Sequence, residues 1–145
     1  MVDAAPVPLL TAEELRILIQ TLARRIRNER GDDTISDSQM GVLFHLKVDG
    51  PLSPGALAAL EHVTPPSMTR TVNSLEQRGL VARHPNDDDA RRVEVVLTPA
   101  GKDLLEATRR LRTEWFTRCL NELSPKDQAL LEAAGPVLRN LLECK

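Results

Sequence analysis

The residues best suited to chemistry lie on one side of the segment 65–78. Projected at about 100° per residue, Met68, Val72 and Leu75 share an apolar arc. The opposite arc carries mainly polar groups: Pro66, Arg70, Asn73 and Gln77, flanked by Ser67, Thr69 and Ser74. Arginine can pair with guanine and asparagine or glutamine with adenine, while hydroxyl groups reach phosphates or base edges. This pattern is typical of a DNA-reading helix, and also of an ordinary solvated helix face.

A second group of charges follows in the segment 85–92. It places Arg91 and Arg92 beside three acids, Asp87 to Asp89. Arginine is the side chain that enters a narrow minor groove, where the negative potential is strongest. The acids either orient the arginines or brace the turn. Alone, the segment is equally typical of a solvated β-turn with offsetting charges.

The elements that position these residues follow from helix caps and apolar periodicity. Thr11, Ser36, Ser53, Thr64 and Ser124 each precede an apolar periodic segment, as N-caps do. The sequence predicts helices over about 11–30, 36–48, 53–61, 65–78, 99–123 and 125–142, and strands over 80–84 and 93–97.

Three finer expectations concern burial and helix continuity. Leu57 and Leu60 are expected to give the short third helix its buried face. Val93, Val95 and Leu97 alternate with less apolar positions, which predicts one buried strand face. Pro136 should kink or interrupt the last helix near 131–134.

Bulk composition sets limits on function. The chain has 145 residues, enough for one domain, and its formal net charge of -2 argues mildly against a nucleic-acid binder. That objection is weak because phosphate binding depends on a local basic face. The absence of a nucleophile–base pair or a glycine-rich phosphate loop predicts that the chain is not an enzyme and needs no cofactor.

Location and metal content follow from residue usage. Cys119 and Cys144 lie far apart without a CxxC motif, which favours a reducing cytoplasm and no disulfide. His45, His62 and His84 are scattered, so no metal site is expected. No apolar run is long enough to span a membrane, and residues 1–10 resemble a short disordered lead-in rather than a secretion signal.

Several segments together resemble the MarR-type (multiple antibiotic resistance regulator) proteins. They are 52–58, 64–70 and 75–81, then Asp89-Ala90-Arg91 followed by 95–101, which is similar to the wing signature D-x-R…V-x-L-T-x-x-G. The order of the predicted elements already indicates a winged helix-turn-helix with extra flanking helices, and the resemblance implies the same mainly α fold with a small two- to three-stranded β-wing. It also implies a single MarR-like domain over 1–145, with a winged helix-turn-helix over 34–98 and helical dimerisation parts over 11–33 and 99–145.

The resemblance assigns roles residue by residue. Ser67, Thr69, Arg70 and Asn73 would read the major groove, with Pro66 and Gln77 on the same face. Arg91 would enter the minor groove, oriented by an ion pair to Asp89. Candidate phosphate contacts are Arg92, Arg83, Ser53 and Thr64. The expected partner is a pseudo-palindromic double-stranded DNA operator, bound by a homodimeric repressor that a small aromatic or amphipathic effector releases.

Dimerisation also has support from the residues themselves. The first, fifth and sixth predicted helices carry more apolar surface than a small winged domain can cover. The dimerisation residues we predict are Leu15, Leu18, Leu22, Leu130, Leu138 and Leu141. Two alternatives stay open: these helices could pack only within one chain, and the winged helix could bind protein instead of DNA.

Overall fold

The computed structural model describes residues 10–144, so most of the predicted lead-in over 1–10 lies outside the described residues. The helices and strands are α1 (Ala12–Asn28), α2 (Asp37–Asp49), α3 (Pro54–Leu60), α4 (Pro65–Gln77), β1 (Val81–Pro85), β2 (Val93–Leu97), α5 (Pro99–Asn121) and α6 (Pro125–Leu142). The predicted fold class, mainly helical with a small β-wing, is confirmed.

The chain divides into two compact units. The winged unit comprises residues 30–111, and the terminal unit comprises the described residues of 1–29 and 112–145. The division therefore falls within α5, whereas the sequence predicts it at residue 98. The first part of α5 belongs with the winged unit because Leu105 is buried in its core and the buried Thr108 accepts a hydrogen bond from the Gly31 N–H at 3.1 Å.

Capping side chains begin the helices of the winged unit. The hydroxyl of Ser36 accepts from the N–H of Gln39, and the Gln39 side chain accepts from the N–H of Ser36, which completes a capping box. The Ser53 and Thr64 hydroxyls cap α3 and α4 in the same way, each followed by a proline whose missing N–H would be unpaired anyway. These starts agree with the sequence prediction.

The core of the winged unit is aliphatic. Met68, Val72 and Leu75 of α4 are fully buried among Val42, Leu43, Leu57, Val81 and Val95. The prediction for Leu60 is wrong, since its side chain is 43% exposed. The buried side of α3 lies between Leu57 and Ala58. Leu60 projects beyond Leu57 on the side away from Ala58, and its side chain therefore faces solvent.

The wing is a two-stranded antiparallel sheet in which Arg83 pairs with Val95. An isolated bridge adds Leu52 to this sheet, with backbone hydrogen bonds to Val95 in both directions. The predicted buried face of β2 is only partly observed, because Val95 is buried while Val93 is 43% exposed. Val93 lies at the loop end of the hairpin, paired with Pro85.

The terminal unit has an unusual distribution of apolar groups. α1 is strongly amphipathic, yet neither α1 nor α6 contains a buried residue. The residues predicted for dimerisation are all exposed: Leu15, Leu18, Leu22, Leu130, Leu138 and Leu141. Of the two effects predicted for Pro136, an interruption of the last helix is wrong, because α6 continues through it, while a kink stays a prediction. A proline removes one backbone donor, which does not by itself end a helix.

Within residues 10–144, no helix combines the length and apolar character that crossing a bilayer requires.

Candidate nucleic-acid interface

The α4 helix has the two faces that the sequence predicts. Its inner residues are fully buried, and its outer side chains lie in solvent: Pro66, Ser67, Thr69, Arg70, Asn73 and Gln77. Across residues 10–144, no hydrogen bond or ion pair engages the guanidinium of Arg70. An exposed cation without an internal partner can donate all its N–H groups to a ligand.

The hydroxyl groups near the start of α4 are partly used by the backbone. Thr69 Oγ1 donates to the carbonyl oxygen of Pro65 at 3.0 Å. Thr64 Oγ1 accepts from the Ser67 N–H at 3.4 Å, and Ser53 Oγ accepts from the Ala56 N–H at 3.1 Å. The capping hydroxyls of Ser53 and Thr64 keep their own hydrogen for donation, which leaves them able to contact a phosphate oxygen.

Arg83 does not extend freely towards solvent. From β1 its guanidinium reaches back to α4, where it forms an ion pair with Glu76 and donates to Asn73 Oδ1 at 2.7 Å. Its side chain is 29% exposed. The sequence predicts Arg83 as a phosphate contact, but the structure has its charge largely matched by Glu76. Arg83 therefore links the wing to the outer face of α4.

The C-terminal end of α4 is anchored separately. The Arg78 guanidinium forms an ion pair with Asp32 and donates to the carbonyl oxygen of Thr34 at 3.3 Å. Hydrogen bonds from the Thr34 hydroxyl and N–H, with the nearby charge of Arg78, lower the pKa of the Asp32 carboxyl. These bonds tie the end of α4 to the loop before α2.

The middle of α4 is tied to α2 through side-chain amides and hydroxyls. Gln39 Nε2 donates to Ser74 Oγ at 3.0 Å, while Gln39 Oε1 accepts from the Ser36 N–H at 2.9 Å. The residue that completes the α2 capping box therefore also holds α4. Together with the Arg78 anchor, this fixes which face of α4 is turned outward.

Asn86 organises the wing loop. Its Oδ1 accepts from the backbone N–H groups of Asp88 and Asp89, both at 2.9 Å, and its Nδ2 donates to Glu94 Oε1 at 2.6 Å. The Asn86 N–H also donates to the carbonyl oxygen of Arg92 at 2.8 Å. An asparagine that bonds the backbone two and three residues later is an Asx turn, so this side chain closes the hairpin.

The charges at the wing tip pair differently from the expectation. Asp89 was expected to form an ion pair with Arg91, but its Oδ2 lies 3.6 Å from Arg92 Nε, and its Oδ1 accepts from the backbone N–H of Arg91 at 3.1 Å. That expectation is wrong for this geometry. The exposed Arg91 guanidinium has no hydrogen bond or ion pair within residues 10–144.

Asn86 and Glu76 are among the contributors to the interface that the sequence prediction missed. Asn86 could have been found, because an asparagine followed by a run of acids between two strands is a turn pattern. Glu76 could not, because its importance depends on Arg83 crossing from the following strand. Among the described side chains, no three His, Cys, Asp or Glu residues gather as metal ligands would.

The comparisons with known proteins agree with this geometry. The sequence profile described as MarR family matches residues 35–93. A helix-turn-helix transcriptional regulator of Mycobacterium leprae is 36% identical over 132 residues, covering 91% of this chain and 92% of the relative. The chain belongs to the MarR family. It is therefore a DNA-binding transcriptional regulator of the winged helix-turn-helix type and not an enzyme, as the sequence predicts.

Two further relatives extend the comparison. The transcriptional repressor MdtR of Bacillus subtilis is 28% identical over 125 residues, covering 83% of this chain and 79% of MdtR. A variant of Staphylococcus aureus MepR, solved bound to an oligodeoxyribonucleotide, superposes with a TM-score of 0.71 at 21% identity and covers 92% of this chain and 99% of MepR. At that identity the MepR structure shows a shared MarR fold.

Proposed function

We propose that this MarR-family protein is a repressor that binds a pseudo-palindromic DNA operator as a homodimer. The observation that carries the proposal is the outer face of α4, where six side chains suited to base or phosphate contact lie in solvent above a fully buried inner face. In this proposal Arg70, with Ser67, Thr69, Asn73 and Gln77, reads the major groove. Arg91 of the wing enters the minor groove.

The homodimer is supported by the terminal unit. Leu18 and Leu141 are more than half exposed, and α1 and α6 bury no side chain within one chain. Two amphipathic helices with open apolar faces need a partner, and a second copy of the chain supplies the same faces by symmetry. A dimer of two winged units then matches an operator whose half-sites are related by a two-fold axis.

Repression and release by an effector are the finer parts of the proposal. The repressor sense is supported by the likeness to MdtR, whose name describes a repressor. We propose a small aromatic or amphipathic effector, as the family resemblance implies. Such a ligand releases the operator only if it binds a DNA-incompetent geometry more tightly than the DNA-bound one. A protein that binds chromosomal DNA is also consistent with the cytoplasmic location expected from the sequence.

The test begins with selection of preferred duplexes from a randomised DNA pool, followed by affinity measurements at several salt concentrations. We expect enrichment of a sequence with two-fold symmetry and an affinity that falls steeply as salt rises. The Arg70→Ala variant should weaken binding to the selected duplex by about 1–3 kcal/mol. The matched control is Arg110→Ala, which removes the same charge from an exposed position of α5.

Two results would contradict the proposal. Equal losses in Arg70→Ala and Arg110→Ala would mean that Arg70 contributes only through net charge. A chain that enriches no duplex and shows no salt-dependent DNA binding would favour the alternative of a winged helix that binds protein.

A further inference from the structure

The contact between Arg83 and Asn73 fixes how one residue of the α4 outer face can meet DNA. Arg83 donates to Asn73 Oδ1 at 2.7 Å while its other terminal nitrogen pairs with Glu76. The residues come from different elements, since Arg83 lies in β1 and both partners lie in α4. Arg83 therefore acts on the outer face of α4 from the side.

The chemistry of the two groups leaves one orientation for the Asn73 amide. A guanidinium carries five N–H donors and no acceptor, so only the carbonyl oxygen of an amide can face it. The Asn73 Nδ2 group is then turned away from Arg83. Within residues 10–144 this amino group makes no hydrogen bond, and Asn73 is exposed. Asn73 thus turns its two amide donors towards solvent, while its Oδ1, which keeps one lone pair, is directed towards Arg83.

We propose that Arg83 is a specificity-positioning residue, which holds Asn73 with its amide donors turned towards the major groove. This inference rests on the proposed function, because it requires α4 to read bases. Bidentate recognition of adenine by asparagine needs both an amide donor for N7 and an amide acceptor for the N6 amino group. With Oδ1 directed towards Arg83, Asn73 favours base edges that offer acceptors, foremost guanine with its N7 and O6.

Glu76 has a separate part in the arrangement. Its carboxylate is 40% exposed and lies on the helix that would enter the groove, where an unmatched negative charge would repel phosphates. Arg83 matches that charge. Removal of Arg83 alone should therefore weaken binding to every duplex, whereas removal of Arg83 and Glu76 together should restore much of this general affinity. Base preference can then be separated from general charge effects.

The experiment compares preferred duplexes selected from a randomised pool by the purified full-length protein. Wild type is compared with Asn73→Ala, with Arg83→Met, and with the double variant Arg83→Met plus Glu76→Gln. Asn73→Ala locates the base pair that Asn73 contacts, because preference there should be lost. At that position both Arg83 variants should increase selection of adenine relative to guanine by about tenfold, since the freed amide can then offer its oxygen.

The matched control is Arg110→Met, which removes an arginine from an exposed position of α5 that does not contact Asn73. It should leave base preference unchanged at the position located by Asn73→Ala. Asn73→Asp gives a second measurement, in which position 73 keeps an oxygen that can accept from Arg83. The variant replaces the Nδ2 donor group by an acceptor oxygen, so preference for guanine should fall by about tenfold.

The outcomes separate this inference from the proposed function. If wild type enriches a sequence but the Arg83 variants leave the Asn73 position unchanged, the positioning role is overturned and the regulator remains. A strong adenine preference already present in wild type would likewise overturn it. If wild type enriches no sequence, the proposed function itself fails.

Discussion

The backbone of Gly101 lies against the carbonyl oxygen of Leu80, with no room for a Cβ between them. A Cβ on Gly101 would overlap that oxygen and lie 2.7 Å from Leu97 Cδ1. Thr98 holds the junction, since its Oγ1 donates to the carbonyl oxygen of Gly79 at 2.6 Å and accepts from the Gly101 N–H at 3.1 Å. The threonine and glycine that end the wing signature therefore join β2 and α5 to the end of α4.

We expect Gly101→Ala to destabilise the winged unit by about 1–3 kcal/mol, because the added methyl group meets backbone that cannot move independently. Urea unfolding followed by circular dichroism measures the loss. Gly55→Ala is the control: its Cβ would meet only Ser53 Oγ at 3.9 Å, within a helix. That variant should be neutral or gain up to about 1 kcal/mol from helix propensity. Equal stability of the two variants would show that the Gly101 contact is not tight.

The Asp32 carboxyl should make stability depend on pH below neutrality. Hydrogen bonds from Thr34, then the charge of Arg78, lower its pKa in the folded protein. A carboxyl with a lowered folded pKa contributes stability above its unfolded pKa of about 3.9, and this contribution is lost as pH falls through the folded value. Asp32→Asn should therefore be less stable than wild type near pH 7, and the gap should close as pH falls below about 4.

Urea midpoints between pH 7 and pH 3 measure this gap. Asp33→Asn is the matched control, because Asp33 is an exposed neighbour with no hydrogen bond or ion pair among residues 10–144. Its difference from wild type should stay small at every pH. A gap for Asp32→Asn that stays constant down to pH 3 would contradict the assigned cause.

Asn86→Ala should loosen the wing without unfolding the winged unit. The variant removes the acceptor for the Asp88 and Asp89 N–H groups and the donor to Glu94. Each such bond contributes about 0.5–1.5 kcal/mol, and here the loss falls on an exposed loop. We expect faster amide hydrogen exchange at Asp88 and Asp89, weaker binding to the preferred duplex, and an almost unchanged urea midpoint. Unchanged exchange at both amides would show that Asn86 does not hold the loop.

Features that depend on residues close together in the sequence were predicted more accurately than features that depend on contacts between distant residues. Thr11, Ser36, Ser53, Thr64 and Ser124 cap helices where the sequence predicts them, because a cap depends on residues within three positions. The two faces of α4 were also predictable from periodicity alone. The two strands of the wing were also predicted from residue pattern, and the family resemblance then assigned DNA-binding roles to the hairpin.

Long-range contacts limited the prediction of the site. The pairing of Arg83 with Glu76 and Asn73 depends on the register of β1 against β2, which places that arginine beside α4 rather than in solvent. The direction of Asp89 depends on the turn that Asn86 builds. Both contacts form only when the elements pack together. Without that packing, Arg83 was predicted to contact phosphate and Asp89 to pair with Arg91.

The apolar face of α1 provides the test of the homodimer. Leu22→Glu keeps a good helix former on α1 but places a charge where the proposed partner helix packs. Since Leu22 is 43% exposed within one chain, the change should leave the single chain folded and shift it from dimer to monomer. Sedimentation equilibrium would then change from twice the chain mass of 16.1 kDa to that mass alone.

Val93→Glu is the matched control, because Val93 is also 43% exposed but lies in β2 of the wing. It introduces the same charge and should leave the mass of a dimer. The Leu22→Glu variant should also lose affinity for a duplex that carries two half-sites, because only a dimer contacts both half-sites at once. Its affinity for a duplex with a single half-site should equal that of wild type. A Leu22→Glu chain that still sediments as a dimer would show that α1 lies outside the subunit interface, and a monomeric wild type would remove the basis for two-fold operator recognition.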